Sequence, residues 1–185
     1  MDSTSQQIRV EKFDPQKCYD FDKFDCGDGG LNGFLQNELV RQAEKGTLVA
    51  YLCIIESDQQ PSEVVGFFTL SSSSLERNVF TNKCRKDLVY KSAPCILLGR
   101  IAVCKSVQKQ GVGKWLLGLA IKKAIQSSSD IGVYALALHA EEHNWPFYRG
   151  AGFTQSQHGE RKLFVYPLKQ GLKHYIEENK LDRLS

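Results

Sequence analysis

The stretch from Leu97 to Ile125, LLGRIAVCKSVQKQGVGKWLLGLAIKKAI, constrains the fold more than any other part of the chain. An apolar run ends there in a polar loop that contains Gly111 and Gly113, and an amphipathic stretch follows at once. Apolar residues of that stretch recur at helical spacing, at Leu117, Ala120, Ile121 and Ala124. The pattern predicts a buried strand, a glycine loop and a helix in direct succession.

The loop between this strand and helix has the properties of a phosphate-binding loop. The N-terminus of a helix carries unpaired N–H groups and a partial positive charge, so it attracts anions. Glycines just before it allow positive φ angles and a close approach of a ligand to the backbone. The loop consists of Gln108, Lys109, Gln110, Gly111, Val112, Gly113 and Lys114.

Three known forms of such loops can be compared with this one. The magnesium-nucleotide loop needs GxxxxGK[ST], but Gln108 stands at its first glycine and Trp115 at its Ser/Thr. The dinucleotide fingerprint GxGxxG lacks its third glycine, because Leu116 occupies that place, and it would lie past the middle of the chain. The form [QR]xxGx[GA] is matched fully by Gln108, Gly111 and Gly113.

The rest of the chain alternates between strand-like and helix-like segments. The patterns predict a helix over 31–46, a hairpin of strands over 47–57 and 64–74, a loop with a short helical piece over 75–93, strands over 94–103, 132–140 and 161–169, and helices over 112–128 and 144–153. Residues 170–185 form either a short charged helix or a frayed tail. The order predicts a mixed α/β domain and not a doubly wound one, because the first half has too few helices between its strands.

Composition places the chain in a broad class. The 185 residues are 42% apolar and 24% charged, which suits a single globular domain over 1–185. No run approaches the about 18 apolar residues of a membrane span, and the first residues contain no apolar signal-peptide core, so we expect a cytoplasmic protein without a membrane partner. Six cysteines without a CxxC pair and four histidines that do not cluster with them predict free thiols and no metal site.

Two motifs carry a resemblance to a known family. GRIAVCKSVQKQGVGKWLLGLAI resembles the acetyl-CoA-binding motif of the GNAT N-acetyltransferases, and NWPFYRGAGF resembles their later FYxxxGF element. In element order the resemblance covers roughly residues 8 to 168. It implies the GNAT fold, a central, mostly antiparallel sheet with a splayed pair of parallel strands and flanking helices. It also implies that acetyl-CoA is the co-substrate.

The resemblance implies roles for particular residues. Backbone N–H groups of residues 108–114 would hold the pyrophosphate, and Asn144 would reach the pantetheine arm. That arm would lie between the strands 95–103 and 133–140 and pair with Ile101, Ala102 and Val103. A backbone N–H near Val103 would polarise the thioester carbonyl. Tyr148 would protonate the leaving thiolate, although a core tyrosine with a satisfied hydroxyl is the alternative. Four residues surround the end of strand 132–140 as candidate bases: His139, Glu141, Glu142 and His143.

Further segments resemble one branch of the family, the toxins that acetylate the amine of aminoacyl-tRNA and block translation. They include FDCGDGGLNGFLQNELVRQAEKG near the N-terminus and APCILLGRIAV before the glycine loop. This resemblance implies a homodimer and a small ribbon-helix-helix antitoxin as partners. A set of basic residues is typical of an RNA phosphate path, with a solvated basic loop as the alternative; it comprises Lys83, Arg85, Lys86, Lys91 and Arg100.

Two other functions remain open at this point. The chain could acetylate a small amine, a polyamine or a protein N-terminus, or it could be a non-catalytic module that binds acyl-CoA. Tyr148 favours catalysis over simple binding. The basic residues from Lys83 to Lys91 favour RNA over a cationic polyamine, which would need an acidic pocket.

Overall fold

The structure is a computed structural model, and it describes residues 8–56, 61–156, 162–169 and 171–172. The strands are β1 (Ile8–Lys12), β2 (Tyr19–Asp20), β3 (Val49–Ile55), β4 (Ser62–Glu76), β5 (Ser92–Val103), β6 (Ala135–His139), β7 (Thr154–Gln155) and β8 (Leu163–Pro167). The α-helices are α1 (Gly29–Asn37), α2 (Leu39–Glu44), α3 (Asn82–Arg85), α4 (Val112–Asp130) and α5 (Trp145–Gly150).

The described residues form two compact units, and the first consists of the chain up to Ser71 together with Gly99–Gly118. Its strands β1, β3 and β4 pair in that order and antiparallel, while the short β2 pairs parallel with β4. The second half of β5 lies beside β4, where Cys104 N donates to Val65 O at 2.8 Å.

In the core of the first unit, the first turns of α4 pack against the strands. A cluster of rings joins α1 to β4, because Phe67 lies 5.6 Å from Phe24 and 6.0 Å from Phe34 between ring centroids. Leu116, in the first turns of α4, is fully buried. It packs over Gly66 of β4, where an added Cβ would lie 3.0 Å from Leu116 Cδ1. The small residue in the strand therefore lets the helix begin close to the sheet.

The second unit consists of Ser72–Leu98 and the described residues from Leu119 onward. Here β5 pairs with β6 in parallel, β6 with β8 antiparallel, and β8 with β7 antiparallel. The ladder between β5 and β6 ends at the pair Leu97–Ala137, although β5 continues to Val103 and β6 to His139. Its core is a cluster formed by Phe80, Leu88, Ala93, Cys95, Ala135, Ala137, Leu163 and Val165.

The predicted mixed α/β architecture is confirmed, with β5 and β6 parallel and β8 antiparallel to both β6 and β7. The prediction of a single helix over 31–46 is wrong, because α1 ends at Asn37 and α2 begins at Leu39. The amide of Asn37 donates to Gly33 O at 3.0 Å and so competes with the helical backbone. Asp28 caps α1 by accepting from Gly30 N at 2.8 Å, which starts the helix before residue 31.

The sequence patterns gave no element before α1, and the structure adds β1 and β2 there. The alternation of IRVEK is a signal for β1, since Val10 and its neighbours pair along β3.

All six cysteines are free thiols, with Cys53, Cys95 and Cys104 buried but Cys18 exposed. The tail from residue 173, together with residue 170, lies outside the described residues. Within the described ranges, no helix is long and apolar enough to cross a membrane.

Candidate active site

The loop between β5 and α4 ends in an open helix N-terminus. After Val103 the chain makes a 3₁₀ turn over Lys105–Val107, and Lys109 then adopts a φ of 61°. The first hydrogen bond of α4 runs from Trp115 N to Gly111 O at 3.0 Å. The N–H groups at positions 112–114 therefore precede the first helical bond, which is where a helix binds an anion.

Gly111 is the residue of this loop that must be a glycine. Its φ of 87° lies in the left-handed region, which side chains rarely adopt. An added Cβ would meet no heavy atom within 4 Å, so the space beside the backbone is open. The exposed ammonium-bearing side chains Lys109 and Lys114 flank it. Open space, free N–H groups and positive charge fit the diphosphate of acetyl-CoA.

The side chain of Gln108 holds the loop in place through two hydrogen bonds. Its Nε2 donates to Val103 O at the end of β5 and to Cys26 O in the segment before α1, both at 2.9 Å. One amide group thus joins the strand to the N-terminal segment. The [QR]xxGx[GA] motif indicates Gln108, but it does not predict this role of the side chain.

A second connection joins the same two segments. Lys105 N donates to Asp25 O at 2.8 Å, and Lys105 Nζ pairs with Asp25 Oδ2 at 2.8 Å. Asp25 Oδ1 also accepts from Gly27 N at 2.9 Å and Asn32 Nδ2 at 3.0 Å. The hydrogen bonds from Lys105 and then Asn32 lower the pKa of Asp25 to about 2. The early FDCGDGG segment therefore supports the glycine loop.

Tyr148, the candidate acid, lies on α5 in the second unit, and its ring is buried. The ring packs against Phe147, Phe153 and Phe164 at centroid distances of 5.1, 6.0 and 6.2 Å. Burial raises the pKa of Tyr148 above its usual value. Its hydroxyl makes no hydrogen bond within the described part of the chain, and no described side-chain oxygen is both buried and unpaired. The hydroxyl oxygen therefore reaches the surface, where it can donate to a ligand.

The turn after α5 explains the glycine and the second phenylalanine of the FYxxxGF element. Gly152 has a φ of 91°, and this conformation returns Phe153 to Tyr148, whose O accepts from Phe153 N at 3.1 Å. At the other end, Trp145 Nε1 donates to Ala140 O at 3.0 Å. Asn144 occupies the N-cap position, but its side chain makes no capping bond. The Asn144 amide is exposed and is not used for helix capping.

The four candidate bases are all exposed: His139, Glu141, Glu142 and His143. Glu141 is paired with Lys162, whose Nζ lies 2.6 and 2.7 Å from its two carboxylate oxygens. No group of three or more residues able to hold a metal ion occurs among the described residues.

The structure divides the basic residues into different environments. Lys83 and Lys86 are exposed at the short helix α3. Arg85, between them, is used internally, because its Nε donates to Phe80 O at 2.9 Å and its guanidinium also bonds Asn78 O at 2.6 Å. Lys91 is exposed before β5. Arg100 lies in the first unit, with its guanidinium 3.7 Å above the ring centre of Phe34.

Comparison with known proteins places this geometry in a family. The model described as the acetyltransferase (GNAT) family matches residues 17–153. A tRNA-acetylating toxin from Mycobacterium tuberculosis is 30% identical over 122 residues, which are 65% of this chain and 69% of the relative.

Two solved structures share the fold over nearly their whole length. AtaT complexed with acetyl-methionyl-tRNAfMet has a TM-score of 0.86 at 29% identity, covering 91% of this chain and 99% of the other. A tyrosine-to-phenylalanine mutant of the AtaT toxin, bound to the C-terminus of the antitoxin AtaR and acetyl-CoA, has a TM-score of 0.77 at 29% identity, covering 88% and 94%. The predicted GNAT fold and the resemblance to the toxin branch are confirmed, and this chain belongs to the acetyltransferase (GNAT) family.

Proposed function

We propose that this protein is an acetyl-CoA-dependent N-acetyltransferase that acetylates the α-amine of aminoacyl-tRNA and acts as a toxin by blocking translation. The observation that carries the proposal is the match to AtaT in complex with acetyl-methionyl-tRNAfMet, with a TM-score of 0.86 over 91% of this chain. The relative from Mycobacterium tuberculosis, named as a tRNA-acetylating toxin, supports the same acceptor.

The co-substrate is held, in this proposal, by the main chain of the glycine loop. The N–H groups of Gln108, Lys109, Gln110, Gly111, Val112, Gly113 and Lys114 surround the diphosphate. The end of β5, Ile101 to Val103, offers its backbone to the pantetheine arm, and the uncapped amide of Asn144 reaches the same arm. Bound acetyl-CoA supplies an acetyl group activated as a thioester.

The acceptor explains why the site needs no strong base. An α-amine has a reference pKa of about 7.7–8, so a useful fraction is already neutral near pH 7.5. A lysine side chain, with a reference pKa of about 10.4, would need a base. The candidate bases His139, Glu141, Glu142 and His143 are all exposed, and Glu141 is paired with Lys162. A site without a buried base fits an α-amine acceptor better than a lysine side chain.

Tyr148 is the proposed general acid. Its raised pKa keeps the hydroxyl protonated at neutral pH, and that hydroxyl has no competing partner within the described residues. As the C–N bond forms and the C–S bond breaks, Tyr148 donates its proton to the leaving thiolate, and the proton lost by the attacking amine returns through solvent to the tyrosinate.

The proposed toxin function also implies protein and RNA partners. The antitoxin AtaR bound to AtaT supports an antitoxin partner for this chain, which we expect to be a small ribbon-helix-helix protein. We further propose a homodimer. Since charged tRNA serves ribosomes in the cytoplasm, the activity belongs there. Lys83, Lys86, Lys91 and Arg100 are the proposed RNA contacts, whereas the internal bonds of Arg85 give its side chain a structural role.

The test is transfer of a labelled acetyl group from acetyl-CoA to purified aminoacyl-tRNA, with spermidine and a short peptide as competing acceptors. We expect labelled aminoacyl-tRNA and little product from the other acceptors. Controlled expression in cells should arrest growth, and Tyr148→Phe should relieve the arrest. Acetylation of spermidine or the peptide with charged tRNA left unmodified would make this an ordinary small-amine or N-terminal acetyltransferase.

A further inference from the structure

A cavity of about 680 Å³ lies in the second unit, beside the end of α5. Its size falls within the about 300–1,000 Å³ of typical small-molecule sites. None of its lining residues belongs to the glycine loop, and Tyr148 does not line it. Its lining includes Lys83, Lys86, Lys169, Tyr134, Tyr166 and Gly152.

The charge around the cavity is positive. Three lysines and one aspartate line it. The aspartate, Asp87, is engaged with Lys169 at 3.3 Å. Lys83 and Lys86 make no ion pair with any described residue, and both are exposed at α3. Two uncompensated ammonium groups at the rim of a concave site favour an anionic ligand.

The two tyrosine rings of the cavity are held in place by their neighbours. Tyr134 donates its hydroxyl to Cys84 O at 3.2 Å and meets Phe80 edge-on at 5.4 Å. Tyr166 packs on Phe153 at 5.3 Å, and an added Cβ on Gly152 would lie 3.2 Å from Tyr166 Cε2. Both tyrosines remain partly exposed. Such fixed rings lose little entropy when a flat group stacks on them.

We propose that this cavity binds one unpaired nucleotide of the tRNA, with its base against the tyrosine rings and its phosphate near Lys83 and Lys86. The inference rests on the proposed function, since it assigns the tRNA a contact away from the reacting ester. Stacking of a base on an aromatic ring beside a lysine-bound phosphate is the usual way in which proteins bind unpaired nucleotides. An acidic peptide would satisfy the lysines but would leave the ring faces without a planar partner.

The test measures binding of deacylated tRNA to Lys83→Gln and Lys86→Gln at several salt concentrations. Each variant should raise the Kd by about fivefold at low salt and reduce the slope of log Kd against log salt by about 0.7–0.9. Lys122→Gln is the matched control, because Lys122 is an exposed lysine of α4 that does not line the cavity. It should bind tRNA as the native protein does.

A second pair of variants tests the rings. Tyr166→Phe keeps the ring and should keep the affinity for tRNA, whereas Tyr166→Leu should raise the Kd by about fivefold to a hundredfold. Acetyl-CoA affinity, measured by calorimetry, shows whether Tyr166→Leu is folded. If it is not, the lysine variants alone decide.

The outcomes separate the inference from the function on which it rests. If the native protein acetylates aminoacyl-tRNA but both lysine variants bind tRNA like Lys122→Gln, the nucleotide site is wrong and the function stands. If the lysine variants lose affinity for the antitoxin and keep it for tRNA, the cavity binds an acidic peptide and the inference is overturned. If charged tRNA is not acetylated at all, the proposed function fails, which the activity assay reports independently of the Kd values.

Discussion

Gln108 joins the end of β5 to the segment before α1 with a single amide group. Replacing it with alanine removes the donor from both Val103 O and Cys26 O. We expect Gln108→Ala to lower the free energy of unfolding by about 1–2 kcal/mol and to weaken acetyl-CoA binding, because the loop loses its support. Denaturant unfolding and calorimetry measure the two effects.

Gln110→Ala provides the comparison within the same loop. Gln110 makes one longer side-chain bond, to Ser106 O at 3.2 Å, so the loss of stability should be smaller. Equal losses for the two variants would show that the bridging role of Gln108 is not what stabilises the loop.

Tyr148→Phe separates the role of the hydroxyl from that of the ring. The ring contacts with Phe153 and Phe164 survive this change, and the hydroxyl has no hydrogen bond to lose within the described residues. We therefore expect nearly unchanged stability and acetyl-CoA affinity, with kcat reduced by about a hundredfold or more. Because burial raises the pKa of Tyr148, its hydroxyl should stay protonated and the native enzyme active through the neutral and mildly alkaline range. A decline that begins near pH 8 and is absent from the variant would mean that Tyr148 ionises too early for this role.

Asp25 predicts a pH dependence of stability. Its pKa is lowered to about 2 by Lys105 and Asn32, so the carboxylate is favoured in the folded state. A lowered pKa gives stability that is present above the unfolded-state value of about 3.9 and is lost as the pH falls towards about 2. The difference in unfolding free energy between native protein and Asp25→Asn should be constant above about pH 5 and shrink below pH 4. A difference that stays constant down to pH 2 would contradict the ion pair with Lys105.

At the scale of elements, the packing of α4 on the sheet decides where the anion-binding helix end lies. Three atoms crowd Gly66, since an added Cβ would lie 3.0 Å from Leu116 Cδ1, 3.2 Å from Cys53 Cβ and 3.3 Å from Ala102 O. We expect Gly66→Ala to push the first turns of α4 outward and to cost about 1–3 kcal/mol of stability. Calorimetry should show a weaker affinity for acetyl-CoA.

Gly118→Ala is the matched control for that change. Gly118 lies on the same helix, and an added Cβ there would meet no atom within 4 Å. Alanine has the higher helix propensity, so this variant should be stabilised by up to about 1 kcal/mol. A Gly66→Ala protein as stable as the native one would mean that the helix does not need this close approach.

At the scale of the whole molecule, charge distribution matters more than total charge. The net charge is only +3, but the lysines of the proposed RNA contacts are concentrated near α3. Raising the salt concentration from 50 to 200 mM should therefore raise the KM for aminoacyl-tRNA by about tenfold, through loss of phosphate contacts. The KM for a minimal acceptor, an aminoacyl ester of adenosine, should change much less. Equal salt effects on both acceptors would contradict an extended RNA contact.

The sequence by itself determined the glycine loop, its place between a strand and a helix, and the alternation that made the domain mixed α/β. These features are local, because a helix N-terminus and a left-handed glycine depend on neighbouring residues alone. The motif QKQGVG and the element FYRGAGF were therefore sufficient to indicate the family and its main site.

Only the tertiary structure decided what supports those local features. Gln108 and Lys105 meet partners about eighty positions away, Cys26 and Asp25, and no sequence period records such pairs. The partners of Arg85 are nearer in the chain but equally outside any sequence period: its charge is typical of an RNA contact, yet its side chain donates to Phe80 O and Asn78 O. Charge and spacing show what a side chain is able to do, but a folded backbone decides which of its possible partners lies within reach.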